Sequence, residues 1–320
     1  MQEYVRRRLM TAVPVLIGVT FAVFMMLHFV PGDPVMMILT ESRGGGGPIV
    51  GEITQETIDN MRHQLGLDRS LPVQYGLFIW RAAQGDLGRS FASGRSVTTM
   101  LQRNVPHTVT LAVTSLAIAI VVGLVLGVLA AVNHGSWLDS LLMTIAMVGV
   151  SIPNFWFGIM LLLVFALQLG WLPAIASASD WRSIVLPGIA LGISASAIIA
   201  RLARSSLIEV MHQDYVRTAR AKGNSTGRAV VRHALKNSLI PVVTIAGLQF
   251  GNLLSGSVVV EVVFGRPGIG QMILDGIYAK DFPVVQGAIL FVAVAYVLVN
   301  LLVDLLYARL DPRISFGATS

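Results

Sequence analysis

Between Asp214 and Pro241 the chain reads DYVRTARAKGNSTGRAVVRHALKNSLIP, six cationic side chains set between two long apolar runs. Guanidinium and ammonium groups at this density pair with carboxylates, phosphates or head groups; they attack nothing by themselves. The rest of the chain supplies no better reactive set. It has no cysteine, which removes a disulfide, a thiolate nucleophile and a Cys-ligated metal, and leaves the redox compartment open. Lys222, Lys236 and Lys280 follow Ala, Leu and Ala, so none belongs to a Gly-Lys-Ser/Thr phosphate loop. No His pair stands at metal-ligand spacing, and no acid–base cluster lies in the apolar runs. The reading is a non-catalytic protein whose chemistry is docking, with no metal site of its own.

The elements that must position this segment are membrane helices. Of 320 residues, 54% are hydrophobic and 12% charged, and the mean hydropathy is +0.73. That is too apolar for a soluble domain. Six runs are long and nearly free of charge: Leu9 to Val30, Thr108 to Val132, Ser140 to Leu169, Ser183 to Ala200, Asn237 to Val260 and Phe282 to Val303. Each approaches the roughly 20 residues that cross about 30 Å of hydrocarbon. Their continuity excludes spanning strands, which alternate. The expected fold is an all-α membrane protein of six spans. The first run exceeds the h-region of a signal peptide and is followed by VPGDP rather than small residues, so it is read as retained.

Charge distribution sets the topology. With both termini cytoplasmic, the inside segments carry Arg6 to Arg8, eight basic residues from Arg201 to Lys236, Arg309 and Arg313. The short outer loops carry only Arg182, Arg266 and Lys280. The long segment from Pro31 to Asn104 has seven Arg against seven acidic residues and reads as a small neutral outer appendage, with Gly44 to Gly47 as a flexible insert. Within it, Thr54 can cap a helix running to Gly66 with Ile58, Met61 and Leu65 on one face. Pro72 can open a second helix ending near Gly85. These amphipathic helices either lie on the membrane surface or cover the spans; binding a partner is the alternative.

The spans themselves offer little for ion coupling. His28, His107 and Asp304 stand near predicted span ends, where interfacial placement is the ordinary role and a proton relay the alternative. Glycines recur four apart at Gly123/Gly127, Gly188/Gly192 and Gly247/Gly251, a spacing for close helix packing in lipid. Asn154 beside Pro153, and Gln249, Asn252 and Ser255 on one face of the fifth run, are candidates for lining a polar path. The alternative is that they hydrogen-bond neighbouring helices.

Inside the basic segment, Gln213 to Lys222 reads as a short helix stopped by Gly223. A second helix follows from about Thr226, with Arg228, Arg232 and Lys236 on one stripe. Such a stripe is commonly drawn to anionic membrane lipid. The first helix, with one aromatic, small residues and charges closed by glycine, suits a groove on another protein. An energy source for such docking must lie in a separate subunit.

The chain resembles the permease subunits of bacterial ABC importers of the dipeptide, oligopeptide, glutathione and nickel group over nearly its whole length. The resemblance rests on VRRRLMTAVPVL, VPGDP, QLGLDRSLPVQY, GDLGRSF, DYVRTARAKG with RHALKNSLIPVV, VVVEVVFGRPGIG and LLYARLDPRI. The family's coupling motif maps loosely, with Arg217, Thr218 and Ala219 in its first three places and Gly223 as its glycine; Pro241 lies further on than the general consensus has it. The resemblance implies a type I importer permease in a bacterial inner membrane. Residues 1–30 would be the N-terminal tail and first span, 31–104 an extracytoplasmic helical loop, and 105–320 a five-helix core with its coupling loop at 205–237.

It also implies that Asp214, Tyr215, Val216, Arg217, Thr218, Ala219, Arg220, Ala221, Lys222 and Gly223 form the segment that docks to an ATPase. Glu261, Arg266, Gly268 and Gly270 would face an external substrate-binding protein. The implied partners are a homologous second permease, two ATPase subunits holding ATP and Mg, and that binding protein, with no nucleic acid. The implied mechanism is alternating access driven by ATP. Di- or oligopeptides are the expected cargo; the polar face would suit glutathione or nickel chelates equally. An ion-coupled secondary carrier acting alone is the runner-up, opposed by the acid-poor spans, the basic segment and the lack of an internal repeat.

Overall fold

The computed structural model describes residues 2–29, 35–36, 55–174 and 180–310, and among them the only regular elements are helices. Thr54, the VPGDP and Gly44 to Gly47 stretches and the end of the LLYARLDPRI motif lie outside the described residues. In chain order the helices are α1 (Gln2–Phe29), α2 (Gln55–Leu65), α3 (Leu71–Ala83), α4 (Val97–Val132), α5 (Trp137–Ser151), α6 (Asn154–Leu161), α7 (Val185–Met211), α8 (Asp214–Ala221), α9 (Thr226–Ala229), α10 (Leu235–Val263), α11 (Ile269–Tyr278) and α12 (Phe282–Leu310). Wide π-helical turns occupy Leu162–Gln168 after α6 and Val230–Ala234 between α9 and α10.

Among the described residues, four helical stretches are long and apolar enough to cross a membrane: Val97–Val132, Trp181–Met211, Gly227–Val263 and Phe282–Val303. The other two expected spans take different forms. The Ser140 to Leu169 run is not one rod. It bends by 101° between α5 and α6, at Pro153, whose missing N–H and steric demand on Ile152 end α5. The pair counts as a fifth span only if both arms are taken together. In α1 the apolar part, Met10–Met26, is shorter than the other spans. Two further boundaries differ from the sequence reading. The helix expected to end at Ala200 runs on to Met211, because Ile199, Ala203 and Leu207 continue a buried row four residues apart. The helix expected from Thr226 as a separate piece runs through the π turn into α10.

The chain divides into two compact units, and α4 and α12 each contribute to both. The first holds Thr108–Arg266 and Tyr296–Ser320. Its core is Leu111, Leu191, Ile199, Leu253 and Val260 with neighbours from α4, α6, α7 and α10. The glycine pairs set how closely its helices approach. A Cβ at Gly127 would stand 2.6 Å from the Ala200 carbonyl oxygen, and one at Gly192 2.7 Å from that of Ser115. The two pairs thus seat α4 and α7 backbone to backbone, each supplying the gap at one end of the crossing. Gly247 and Gly251 accept Val303, Asn300 and Tyr296 of α12 in the same manner.

The second unit holds Gln2–His107 and Pro267–Ala295. Here α2 buries Ile58 against Val35, with Met61 and Leu65 on the same face, as the sequence spacing indicates. Pro72 lies in the first turn of α3, and Gly66 and Gly85 follow the two helices with φ +71° and +82°. Tyr75 of α3 donates its hydroxyl to the Ile17 carbonyl of α1 at 2.9 Å, and Phe24 stacks beside it with centroids 5.3 Å apart. A core of Val97, Leu101, Ile269, Met272, Val284 and Ala288 joins α4, α11 and α12.

Candidate functional site

The docking segment is built on the long helix before it. At the end of α7 the chain turns through His212 and Gln213, whose N–H groups donate to Glu209 and Val210 carbonyls at 3.2 and 3.1 Å. α8 then begins with Asp214 in its first turn, favourable to the helix dipole. It ends at Gly223, φ +87°, a left-handed position that any side chain would strain. Asn224 closes the last turn by donating its side-chain amide to the Ala219 carbonyl at 3.0 Å.

An eight-residue helix is too short to persist unaided, so its seat matters. Val216 is fully buried and Ala219 nearly so, three positions apart on one face. Val216 packs with Ala131 of α4, Leu207 of α7, and Ala229, Val230 and Ala234 of the following turns. Burying the valine contributes on the order of 1.5 kcal/mol. On the outward side Tyr215 is partly exposed, its hydroxyl accepting from Asn237 at 2.9 Å. Arg217, Arg220, Lys222, Arg228, Arg232 and Lys236 are all exposed. Among the described residues, the ion pair of this set is Arg217 to Asp214 at 3.9 Å, between exposed groups and worth little. The ten residues from Asp214 to Gly223 are therefore one rigidly seated, solvent-facing cationic knob. Its shape and charge suit a complementary groove.

A second feature fixes this region, and the sequence reading missed it. Asp139, 4% exposed near the start of α5, accepts from Arg204 Nε and Nη2 of α7 at 2.6 and 2.7 Å, and from the Gly135 N–H at 3.1 Å. His134 Nδ1 stands 3.1 Å from the same carboxylate. Ser136 caps α5 by accepting from the Asp139 N–H at 3.3 Å. The signal was present as Ser136-x-x-Asp139 ahead of an apolar run, a capping pattern, but its partner lies 65 residues further on. This bidentate pair ties α5 to the helix that leads into α8.

The proposed path residues are dispersed. Asn154 is half-buried at the head of α6 beside the bend, while Gln249 is buried in α10. Asn252 and Ser255 are exposed on α10. Asn252 donates to Gln249 Oε1 at 2.9 Å, a bond within its own helix rather than across to a neighbour.

Glu261, Arg266, Gly268 and Gly270 are all buried by the chain itself, with Glu261 fully enclosed. In the chain alone none of the four is exposed. Burial draws the Arg266 guanidinium below its ordinary pKa, and the charge of Glu261 opposes that shift. The Arg266 N–H donates to the Glu261 carbonyl at 2.8 Å. The exposed residue of this segment is Gly265.

In the other unit the GDLGRSF motif has a structural role. Asp281, 3% exposed, accepts from the Ser90 hydroxyl at 2.5 Å and from the N–H groups of Phe91 and Ala92 at 3.0 and 3.3 Å. Ser90 Oγ in turn accepts from the Ser93 N–H and hydroxyl at 2.9 and 2.8 Å.

Residues 123–316 match the family described as the binding-protein-dependent transport system inner membrane component. Residues 1–112 match the N-terminal region of the same class of membrane components. The glutathione transport system permease protein GsiC of Escherichia coli is 42% identical, covering 99% of this chain and 100% of its own length. The dipeptide transport system permease protein DppB of Alkalihalophilus pseudofirmus is 41% identical over the same shares. Among solved structures, a chain of the MetNI methionine ABC transporter in an inward-facing conformation superposes with TM-score 0.57 at 21% identity, covering 66% of this chain and 96% of that one. A chain of an amino acid ABC transporter gives 0.51 at 19%, with shares of 66% and 94%. Matched end to end by relatives and over most of its length by the family, the chain belongs to the binding-protein-dependent transport system inner membrane components and is a multi-pass permease subunit of an ABC importer.

Proposed function

We propose that the chain carries short peptides, glutathione included, and that α8 transmits the ATPase stroke to the spans. The cargo is read across from the dipeptide and glutathione relatives. The observation that carries the coupling role is the seat of α8: an exposed cationic helix whose buried Val216 packs with Ala131 of α4 and Leu207 of α7. A push on such a helix moves the spans rather than bending a loop. The segment Asp214 to Gly223 docks in a groove of one of two ATPase subunits, which hold ATP and Mg; the stripe from Arg228 to Lys236 lies beside it. A second homologous permease completes the path, and a binding protein delivers cargo from outside.

In this reading both termini are cytoplasmic, and residues 31–104 form the extracytoplasmic part ahead of the core at 105–320. Asn154, Gln249, Asn252 and Ser255 line the path. Asn252 and Ser255 are already open on α10, and Gln249 is held by Asn252, so uncharged polar groups pass cargo without gripping it. ATP and loaded binding protein must each favour a different arrangement of the bundle, since equal affinity for both would shift nothing.

Gly223→Pro, which forces φ to about −65° where +87° is needed, and Arg217→Glu are the decisive variants. Each is expected to leave the complex assembled while peptide uptake falls and ATP hydrolysis no longer responds to loaded binding protein. Uptake unchanged in both would remove α8 from the coupling path.

A further inference from the structure

The unit containing Gln2–His107 and Pro267–Ala295 lines a half-open cavity of about 720 Å³, within the range of roughly 300–1,000 Å³ found for small-molecule sites. Its lining is graded. The least exposed polar residue of the lining is Gln286, 7% exposed, and its amide, which makes no hydrogen bond among the described residues, is free to meet a ligand in the cavity. Phe24 and Phe282 are buried beside it, with the His28 ring between them at centroid distances of 4.2 and 5.1 Å. Gln74 belongs to a finished wall: it meets His28 Nε2 at 3.3 Å and donates to the carbonyls of Leu67 and Arg69.

The rim is exposed and charged in both signs. Arg81 closes α3, and the Asp86 N–H donates back to its backbone carbonyl at 3.0 Å; both residues line the cavity. The Arg81 guanidinium has no partner among the described residues. One Asp86 oxygen accepts from the Gly88 N–H at 2.9 Å, and the other is open. Arg89 makes a single long bond of 3.4 Å to the Gly94 carbonyl.

We infer that this cavity binds a small zwitterion carrying an amide, a peptide of two or three residues. Arg81 and Arg89 receive its carboxylate, Asp86 its ammonium, Gln286 its peptide group, and the aromatic wall one side chain. A phosphate or anionic lipid head group would use the two guanidiniums, yet it would meet repulsion from Asp86 and leave the Gln286 carbonyl oxygen unmet. The cavity is thus a substrate subsite on the permease itself, a role that rests on the peptide-import reading above.

The test uses the whole importer complex without its binding protein, in phosphatidylcholine nanodiscs, titrated with the dipeptide Ala-Phe by calorimetry. Saturable binding is expected, about tenfold weaker in Arg81→Ala and in Gln286→Leu, and about tenfold weaker for N-acetyl-Ala-Phe. Arg81 is exposed, so its variant keeps the fold even if the Gln286 variant does not. Absence of saturable binding, equal binding in Arg81→Ala, or displacement by glycerol phosphate with no effect of acetylation would overturn the site. Peptide uptake with binding protein present, measured in parallel, separates the two readings. Uptake without cavity binding overturns the cavity alone; cavity binding without uptake sustains the cavity and removes peptide import.

Discussion

Two buried aspartates, one in each compact unit, are satisfied by opposite means. Asp139 is met chiefly by a guanidinium on another helix, whereas Asp281 is met by a hydroxyl and two backbone N–H groups of one loop, with no cation paired to it among the described residues. The first arrangement joins two side chains on α5 and α7 and can be broken and remade as helices shift. The second grips a backbone and fixes a local shape. A tie of the first kind belongs where motion must pass between helices, and it lies at the root of α8. The second belongs where a loop must hold still beneath a cavity.

Removing one partner of the ion pair should have the largest effect. Arg204→Ala leaves a charge that is 94% enclosed without its counter-ion and should destabilise the complex by about 3 kcal/mol, read as a lower melting temperature in detergent. The pair Asp139→Ala with Arg204→Ala should restore much of that loss, because no charge is then stranded. A double variant as unstable as the single one would erase the distinction between the two aspartates.

Next comes Asp281→Asn. The amide presents one oxygen to three donors and turns its own N–H₂ toward another, at a cost of about 1–3 kcal/mol. Since the tie is to backbone, the loss should be local, seen as faster proteolysis around Ser90 to Ser93 while the melting of the other unit holds. The smallest effect is expected for His134→Ala. The ring is 54% exposed at 3.1 Å from a carboxylate already held by Arg204, so about 0.5 kcal/mol or less should be lost. A larger loss would make His134 a full member of the tie.

Much of the helix pattern was legible because it depends on neighbours in the chain. The Gly66, Gly85 and Gly223 stops, Pro72 in the first turn of α3, and the Ile58, Met61, Leu65 face follow from local backbone freedom and a 3.6-residue period. So did α8, whose composition sets it apart from the spans. The errors arose where hydropathy alone was asked for geometry. A run such as Ser140 to Leu169 is apolar throughout, and its bend at Pro153 does not alter its composition. α7 outlasts its apolar stretch because Ala203 and Leu207 have a buried seat. Glu261 and Arg266 looked like surface charges in a loop, but only the packed chain encloses them.

The sequence by itself determined that this chain is helical, membrane-spanning and equipped with a cationic helix between two spans, since composition and period are properties of the chain. Tertiary structure alone decided which charges are buried, that Asp139 meets Arg204, that Asp281 meets the GDLGRSF loop, and that Gln286 is left facing a cavity. Each of these depends on residues 65 or more positions apart in the chain, or on a space between helices, and no local pattern encodes such a distance.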